Sequence, residues 1–326
     1  MKIRKLHIKN FKSIADLEII EPNSFTVFVG PNGSGKSNIF EALEFTTVSW
    51  KFPNNDQFVR SIFGETDSMS SIHKEKDMND QTFIEFENFK TYSGMLNTGP
   101  YAATNEGEHF DFFNDPDFKQ FVKNISIIFP NNLIRERFKI IDDKFLSLSC
   151  SNLEKVLKRV LKDDFKKEEM LEWLTLFVPE LEDINVYSDT IGGKDTLLVK
   201  EKYIEKPFNK SLISDGTYNI IALLTSVFQS DEPQFLCIEE PENGLTPYVI
   251  REMVLFFRNA CEEKGHYIWL NTHSQSLVSE LTPDEIITVD KINGETKIKQ
   301  FKGEDFSGLR MDEAWLTNTL GGGLPW

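Results

Sequence analysis

The stretch that most limits what this chain can fold into is GPNGSGKS, residues 30–37, entered from the apolar run FTVFV and left through KSNIFEALEF. Gly30, Gly33 and Gly35 free the backbone to curl its N–H groups around an anion, and a strand before and a helix after are the context in which such a loop works. Lys36 then faces the β- and γ-phosphates of a nucleotide, and the Ser37 hydroxyl is placed to ligate Mg²⁺. The candidate phosphate-binding set is Gly30, Pro31, Asn32, Gly33, Ser34, Gly35, Lys36, Ser37 and Asn38. A glycine-rich turn with no ligand is the competing reading, and eight matching residues in that context weigh against it.

Three later stretches bear on the same chemistry. In FLCIEEPENGLTP (235–247) an apolar strand runs into two adjacent carboxylates and a proline stops it. Where a strand ends the chain turns, so both acids can approach one metal–phosphate centre. Glu239 would hold Mg²⁺ directly or through its water, and Glu240 would orient and deprotonate the attacking water. An acidic loop capping a core strand is the alternative. His273, just past the apolar YIWLN, can hydrogen-bond a γ-phosphate and sense its loss, although a lone histidine is more often structural. SLISDGTYNIIALL (211–224) sets Ser214, Asp215, Gly216 and Thr217 at the mouth of an apolar helix, which is either an anion site or an ordinary N-cap.

Around these motifs, residues 2–9 and 25–29 read as strands and 36–45 as a helix. The polar clusters of 51–80 read as loop, and the alternation of QTFIEFENF (81–89) reads as a strand. Helical spacing over 152–177 predicts two helices. INVYSDT and DTLLVKEKY around the turn IGGK predict a hairpin. From 211 onward helix and strand alternate as in an α/β sheet. No internal repeat and no sustained heptads occur.

With 25 residues from Ser214 to Glu239 and 33 from Glu240 to His273, the four motifs together resemble the ATP-binding-cassette ATPases. Within them the resemblance is to the branch of SMC, RecF and the OLD (overcoming lysogenisation defect) nucleases. It covers about residues 1–48 and 195–290. It implies an α/β ABC-ATPase head, a P-loop sheet with an antiparallel β subdomain, interrupted by a mainly helical insertion lobe. The core would be 1–48 and 195–326, and the insertion 49–194. The resemblance further implies ATP and Mg²⁺ as cofactors, with Ser37 and Glu239 at the metal and Glu240 and His273 as catalytic residues. It implies a homodimer closed head to tail over ATP, in which Ser214 and Gly216 of one copy reach the γ-phosphate held by the other. Asn243 and Leu245 match the loop that touches the partner's site. Lys12, in NFKS, lies where related heads bring a basic residue toward the nucleotide. Two departures stand out: Glu239 replaces the usual Asp, and SDGT replaces the transporters' Ser-Gly-Gly-Gln. Gln81 is the nearest candidate for the family's glutamine loop, and Arg60 reads better as a surface ion pair than as a phosphate contact.

The net charge of −16 repels polyanions, so DNA contact would need a local basic patch such as Lys2, Arg4, Lys5, Lys9 and Lys12. A solvated strand edge guarded by lysines is the other reading of that run. The apolar runs are too short for a membrane span and the start lacks a signal-peptide core, so the expected location is the cytoplasm. An ABC transporter, which would need membrane spans or docking helices and the Ser-Gly-Gly-Gln form, is discounted, and a chromosome-organising SMC is excluded because the insertion has no coiled coil. Two roles are left. One is a standalone OLD-like ATPase of an anti-phage defence or toxin–antitoxin system, with its effector nuclease on a separate chain. The other is a RecF-like repair ATPase on duplex DNA. The phenylalanine-rich stretch with Phe110, Phe112, Phe113, Phe118 and Phe121 reads as core of the insertion or as a docking surface, and Trp326 as a mobile end or an anchor in a neighbour.

Overall fold

The structure, a computed structural model, describes residues 2–52, 55–63, 81–86, 91–95, 101–103, 124–130, 132, 143–189, 193–306 and 308–322. It is mixed α/β. The run FTVFV forms β3 (Phe25–Val29), buried along its whole length. β3 lies parallel between β12 (Tyr267–Thr272) and β13 (Ile286–Ile292). Beyond β12 come β11 (Phe235–Glu239) and then β7 (Ile125–Ile128), also parallel, while β14 (Glu295–Gln300) closes the other edge antiparallel to β13. Strands covered on both faces need apolar side chains at every position, which is why these segments read as continuous runs.

Side chains alternate between the two faces. Val27, Val29, Leu236, Ile238, Ile268 and Leu270 point to one core, which is covered by α3 (Leu153–Val160), α4 (Asp164–Phe177), α5 (Asp215–Phe228) and α6 (Pro247–Lys264). Phe28, Phe235, Cys237 and Trp269 point to the other, which is covered by α1 (Lys36–Lys51). The helix that follows the glycine-rich loop is anchored there by Phe40, edge-on to Phe28 at 5.6 Å. On the same side lies an antiparallel sheet of β1 (Ile3–Phe11), β2 (Ile14–Ile20), β4 (Gln81–Phe86), β5 (Thr91–Met95) and β6 (Tyr101–Ala103), in the order β2-β1-β4-β5-β6. A third sheet, of β8 (Leu181–Ser188), β9 (Asp195–Glu201) and β10 (Phe208–Asn209), holds the predicted hairpin, with Asp189 N donating to Lys194 O at 3.1 Å beside the turn.

Several expectations differ from what is found. The first helix does not stop near residue 45 but runs to Lys51. The hydroxyls of Thr46, Thr47 and Ser49 donate to the carbonyls four residues back, which satisfies these buried polar groups inside the helix. The polar region 51–80 contains a helix, α2 (Asp56–Phe63), whose Phe63 packs edge-on against Phe45 at 5.6 Å. The segment 49–194 supplies β7 to the main sheet and β4–β6 to the antiparallel one, so this stretch and the flanking segments share sheets. The basic N-terminal run is not an edge, since β1 lies between β2 and β4. Arg4 pairs with Glu85 at 2.6 Å, Lys5 with Glu18, and Lys9 with Asp16 at 3.9 Å.

Further along the chain come α7 (Gln275–Val278) and α8 (Met311–Leu316). After α8 the chain is tied down at Gly322, whose N–H donates to Asp290 Oδ2 at 2.9 Å and whose carbonyl accepts from Trp315 Nε1 at 2.6 Å. Trp326 and the five phenylalanines of 110–121 lie outside the described residues. Among the described residues no helix is long and apolar enough to cross a membrane.

At the end of the sheet remote from the glycine-rich loop, His266 is fully buried, with Gln234 N donating to its Nδ1 at 3.3 Å. Burial pushes its pKa from 6.5 down to about 4. The unfolded chain therefore takes up this proton first. The His266 contribution is complete above pH 6.5 and is lost as pH falls through 4, by about 3 kcal/mol at the acid end. Urea unfolding at pH 7 and pH 4.5 should show a shallower acid loss in His266→Leu than in the parent chain, and equal slopes would refute this assignment.

Candidate active site

The loop at 30–37 owes its shape to backbone freedom and to close packing. Gly35 has φ +102°, and a Cβ there would lie 1.9 Å from Thr296 Oγ1. At Gly30 a Cβ would lie 2.1 Å from the Val289 carbonyl oxygen. Lys36 folds back over this loop, its Nζ donating to Gly30 O at 2.7 Å and Pro31 O at 3.0 Å. Burial brings its pKa down to about 8, against the pull of Glu239 and Glu240.

β11 ends beside the start of α1. Glu239 is 6% exposed, and its Oε2 accepts from Ser37 Oγ at 2.9 Å and from Asn271 Nδ2 at 3.1 Å. Asn271 is the register partner of Glu239 on β12, which is why these two side chains meet. Glu240 N still donates to Asn271 O at 2.8 Å, but Glu240 has φ +46°, and this left-handed step turns the chain out of the strand. Both carboxylates consequently face one cleft of about 370 Å³, lined also by Asn32, Gly33, Lys36 and His273. Glu240 Oε2 accepts from Asn243 Nδ2 at 3.0 Å, and its Oε1 lies 3.9 Å from His273 Nε2. Partial burial, then the Lys36 charge, hold His273 below its ordinary pKa.

The donor set suits a magnesium–triphosphate. Ser37 and Glu239 offer hard oxygens side by side at the mouth of the loop, whose Gly30 and Gly35 pack too closely on Val289 and Thr296 to admit a Cβ. Ser34 Oγ and Asn271 Oδ1 are buried there without a partner.

Ser214, Asp215, Gly216 and Thr217 stand apart from this cleft and do not line it. Ser214 caps α5, its Oγ accepting from Thr217 N at 3.1 Å, and Ser214 and Asp215 are exposed. Gly216 packs on the Gly244 carbonyl, where a Cβ would come within 2.4 Å. Lys12 is paired with Glu41 of α1, and its neighbour Ser13, rather than Lys12, lines the cleft. Gln81 is in β4, and the side chains of Gln81 and Arg60 lie outside the described residues. Phe129 and Asn132, which follow β7, line the cleft instead.

Sequence reasoning missed Asn271, Ser13 and Thr296. Thr296 of β14 joins Ser13 to the loop: Asn38 Nδ2 donates to Ser13 Oγ at 2.6 Å, Ser13 Oγ meets Thr296 Oγ1 at 2.6 Å, and Thr296 Oγ1 donates to Ser34 O at 2.9 Å. Since Thr296 gives its proton to Ser34, Ser13 must donate to Thr296, so the chain of bonds has one direction. No local motif marks these residues, because their meaning comes from strand register.

A family model described as "AAA domain, putative AbiEii toxin, Type IV TA system" matches residues 25–279. The chain is 23% identical to an ATP/GTP phosphatase of Helicobacter pylori over a 353-residue alignment that covers 93% of each. It is 24% identical to the DNA replication and repair protein RecF of Clostridium tetani over 212 residues, 63% of this chain and 54% of that one. It is 54% identical to the chromosome partition protein Smc of Methanocaldococcus jannaschii over 43 residues, 13% of this chain and only 4% of that protein's length. Among solved structures, an SMC head bound to the C-winged helix domain of ScpA matches with a TM-score of 0.63 at 17% identity, covering 96% of this chain and 100% of that one.

Proposed function

Since the chain belongs to the AAA-domain family matched over residues 25–279 and is an ABC-type ATPase of the SMC/RecF branch, we propose that it hydrolyses ATP in this cleft and that ATP joins two copies into a switch. The observation that carries the reading is the convergence of Lys36, Ser37, Glu239 and Glu240 at one loop mouth, from segments some two hundred residues apart in sequence.

In this reading the loop N–H groups and Lys36 hold the phosphates, while Ser37 and Glu239 hold magnesium, with Asn271 fixing the Glu239 carboxylate. Magnesium, when bound, supplies the positive charge that offsets charge building on the transferred phosphoryl group. Glu240 Oε1 takes the proton of the attacking water, and His273, which lines the same cleft, registers the γ-phosphate. The exposed tip at Ser214 caps the γ-phosphate held by a second copy, through its hydroxyl and the helix start that it opens. Hydrolysis removes the group that both copies grip, and the pair opens.

The role we propose is a switch in an anti-phage or toxin–antitoxin system with a separately encoded effector in the cytoplasm. The family description supports it, as do the ion pairs that neutralise the N-terminal basic run. The RecF likeness keeps duplex DNA as the second reading. Phosphate release measured with and without duplex DNA separates the two: the first expects ATP turnover that DNA leaves within twofold, and the second expects DNA to stimulate it. A chain that bound ATP but never released phosphate would contradict both.

A further inference from the structure

Glu242 has a carboxylate that the chemistry above does not use. It does not line the cleft. Its Oε1 accepts from the Thr272 hydroxyl and from His273 N at 3.3 Å. The Thr272 hydroxyl, having donated to Glu242, accepts from Ser274 N at 2.9 Å. One carboxylate oxygen and one hydroxyl thus organise the backbone of the three residues centred on His273.

The segment that carries Glu242 is a tight turn. Asn243 N donates to Glu240 O at 3.2 Å and Leu245 N to Glu242 O at 3.0 Å. Its far side is fastened to α5. Asn219 Nδ2 donates to Asn243 O at 2.9 Å, and the backbones of Gly216 and Gly244 are in contact. One turn therefore carries Glu240, grips the His273 segment and supports the helix tip of Ser214.

The other carboxylate oxygen is telling. Glu242 Oε2 is buried with no hydrogen-bond partner. A half-satisfied buried carboxylate lowers stability, so stability does not account for an acid at this position. Its geometry does.

We propose that Glu242 is a positioning residue, which ties the turn bearing Glu240 to the segment bearing His273 and so links both to the Ser214 helix tip. This rests on the ATPase reading for its consequence in turnover, but the tie itself is a property of the chain alone. A shift of the His273 segment when phosphate leaves would be passed through Glu242 to the turn, and through Asn243 and Gly244 to the start of α5.

The test uses the full chain with Glu242→Ala and Glu242→Gln, each also in a His273→Ala background. Alanine should lower kcat at least tenfold with KM within threefold, because it leaves the Thr272 hydroxyl and the His273 N–H without their acceptor. Glutamine keeps an oxygen that accepts the same two protons and should retain at least a third of kcat. In the His273→Ala background, Glu242→Ala should cost less than a further threefold. Independently of turnover, amide exchange at residues 273 and 274 without nucleotide should quicken at least tenfold in Glu242→Ala and not in Glu242→Gln. Unchanged exchange in the alanine variant overturns the proposal, as does a kcat within threefold of the parent in that variant. If the parent chain itself releases no phosphate, the ATPase reading fails, and the exchange result alone decides for or against the tie.

Discussion

Glu240→Gln should reduce ATP turnover by about 10²–10⁴-fold, the range expected when a positioned general base is removed. Glutamine fits the same space and the same left-handed backbone step at φ +46°, so the fold should not change. Its carbonyl oxygen can still accept from Asn243, which now donates to Glu240 Oε2 at 3.0 Å. Lys36, Ser37 and Glu239 are untouched, so the Kd for ATP should stay within a few-fold. With the γ-phosphate no longer removed, the ATP-loaded protein should persist as a dimer, visible by light scattering. Turnover within tenfold of the parent chain would remove Glu240 from the base role.

Two neighbouring glycines should behave very differently. At Gly35 an added methyl meets Thr296 Oγ1 at 1.9 Å and Ser13 Oγ at 2.8 Å, on a backbone at φ +102°. Thr296 is fully buried and donates to the Ser34 carbonyl, so it has nowhere to go. Gly35→Ala combines a left-handed backbone penalty with overpacking and should cost about 2–4 kcal/mol. It pushes the loop away from the Ser13 turn and from β14, and ATP affinity should fall at least a hundredfold. Gly33 is also left-handed, at φ +79°, but a methyl there meets nothing within 4 Å. Gly33→Ala should cost about 1 kcal/mol, the backbone term alone. Thermal melts and fluorescent-nucleotide titrations of the pair check this. Equal losses would mean that the contact with Thr296 does not set the loop.

What the sequence showed and what it hid divide along physical lines. FTVFV, FLCIE and YIWLNT were readable because strands covered on both faces must be apolar throughout. The glycine loop was readable because its left-handed steps at Gly33 and Gly35 call for glycine at fixed spacing. The turn after β11 was legible in outline, since Pro241 forbids a continuing strand, but not the left-handed step at Glu240 that aims the second acid. β7 was hidden: four residues of ISII reach their partner Phe235 across more than a hundred residues of chain, and no local signal specifies that pairing. Asn271 and Thr296 were hidden for a related reason. Each is an ordinary polar residue until register sets it beside Glu239 or Ser34. The loop reading of 51–80 failed at α2, where the apolar positions Phe58, Val59, Ile62 and Phe63 carry helical spacing beneath a polar composition.

We place each ATP between the loop of one copy and the α5 tip of the other, and mixing two inactive chains probes that arrangement. Lys36→Ala lacks the phosphate grip and Ser214→Arg blocks the cap, so neither should turn over ATP alone. In a mixed pair, one of the two sites has an intact Lys36 from one chain and an intact Ser214 from its partner. With random pairing in a twofold dimer, phosphate release should return to about a quarter of the parent rate. A mixture as inactive as its components would contradict the shared site.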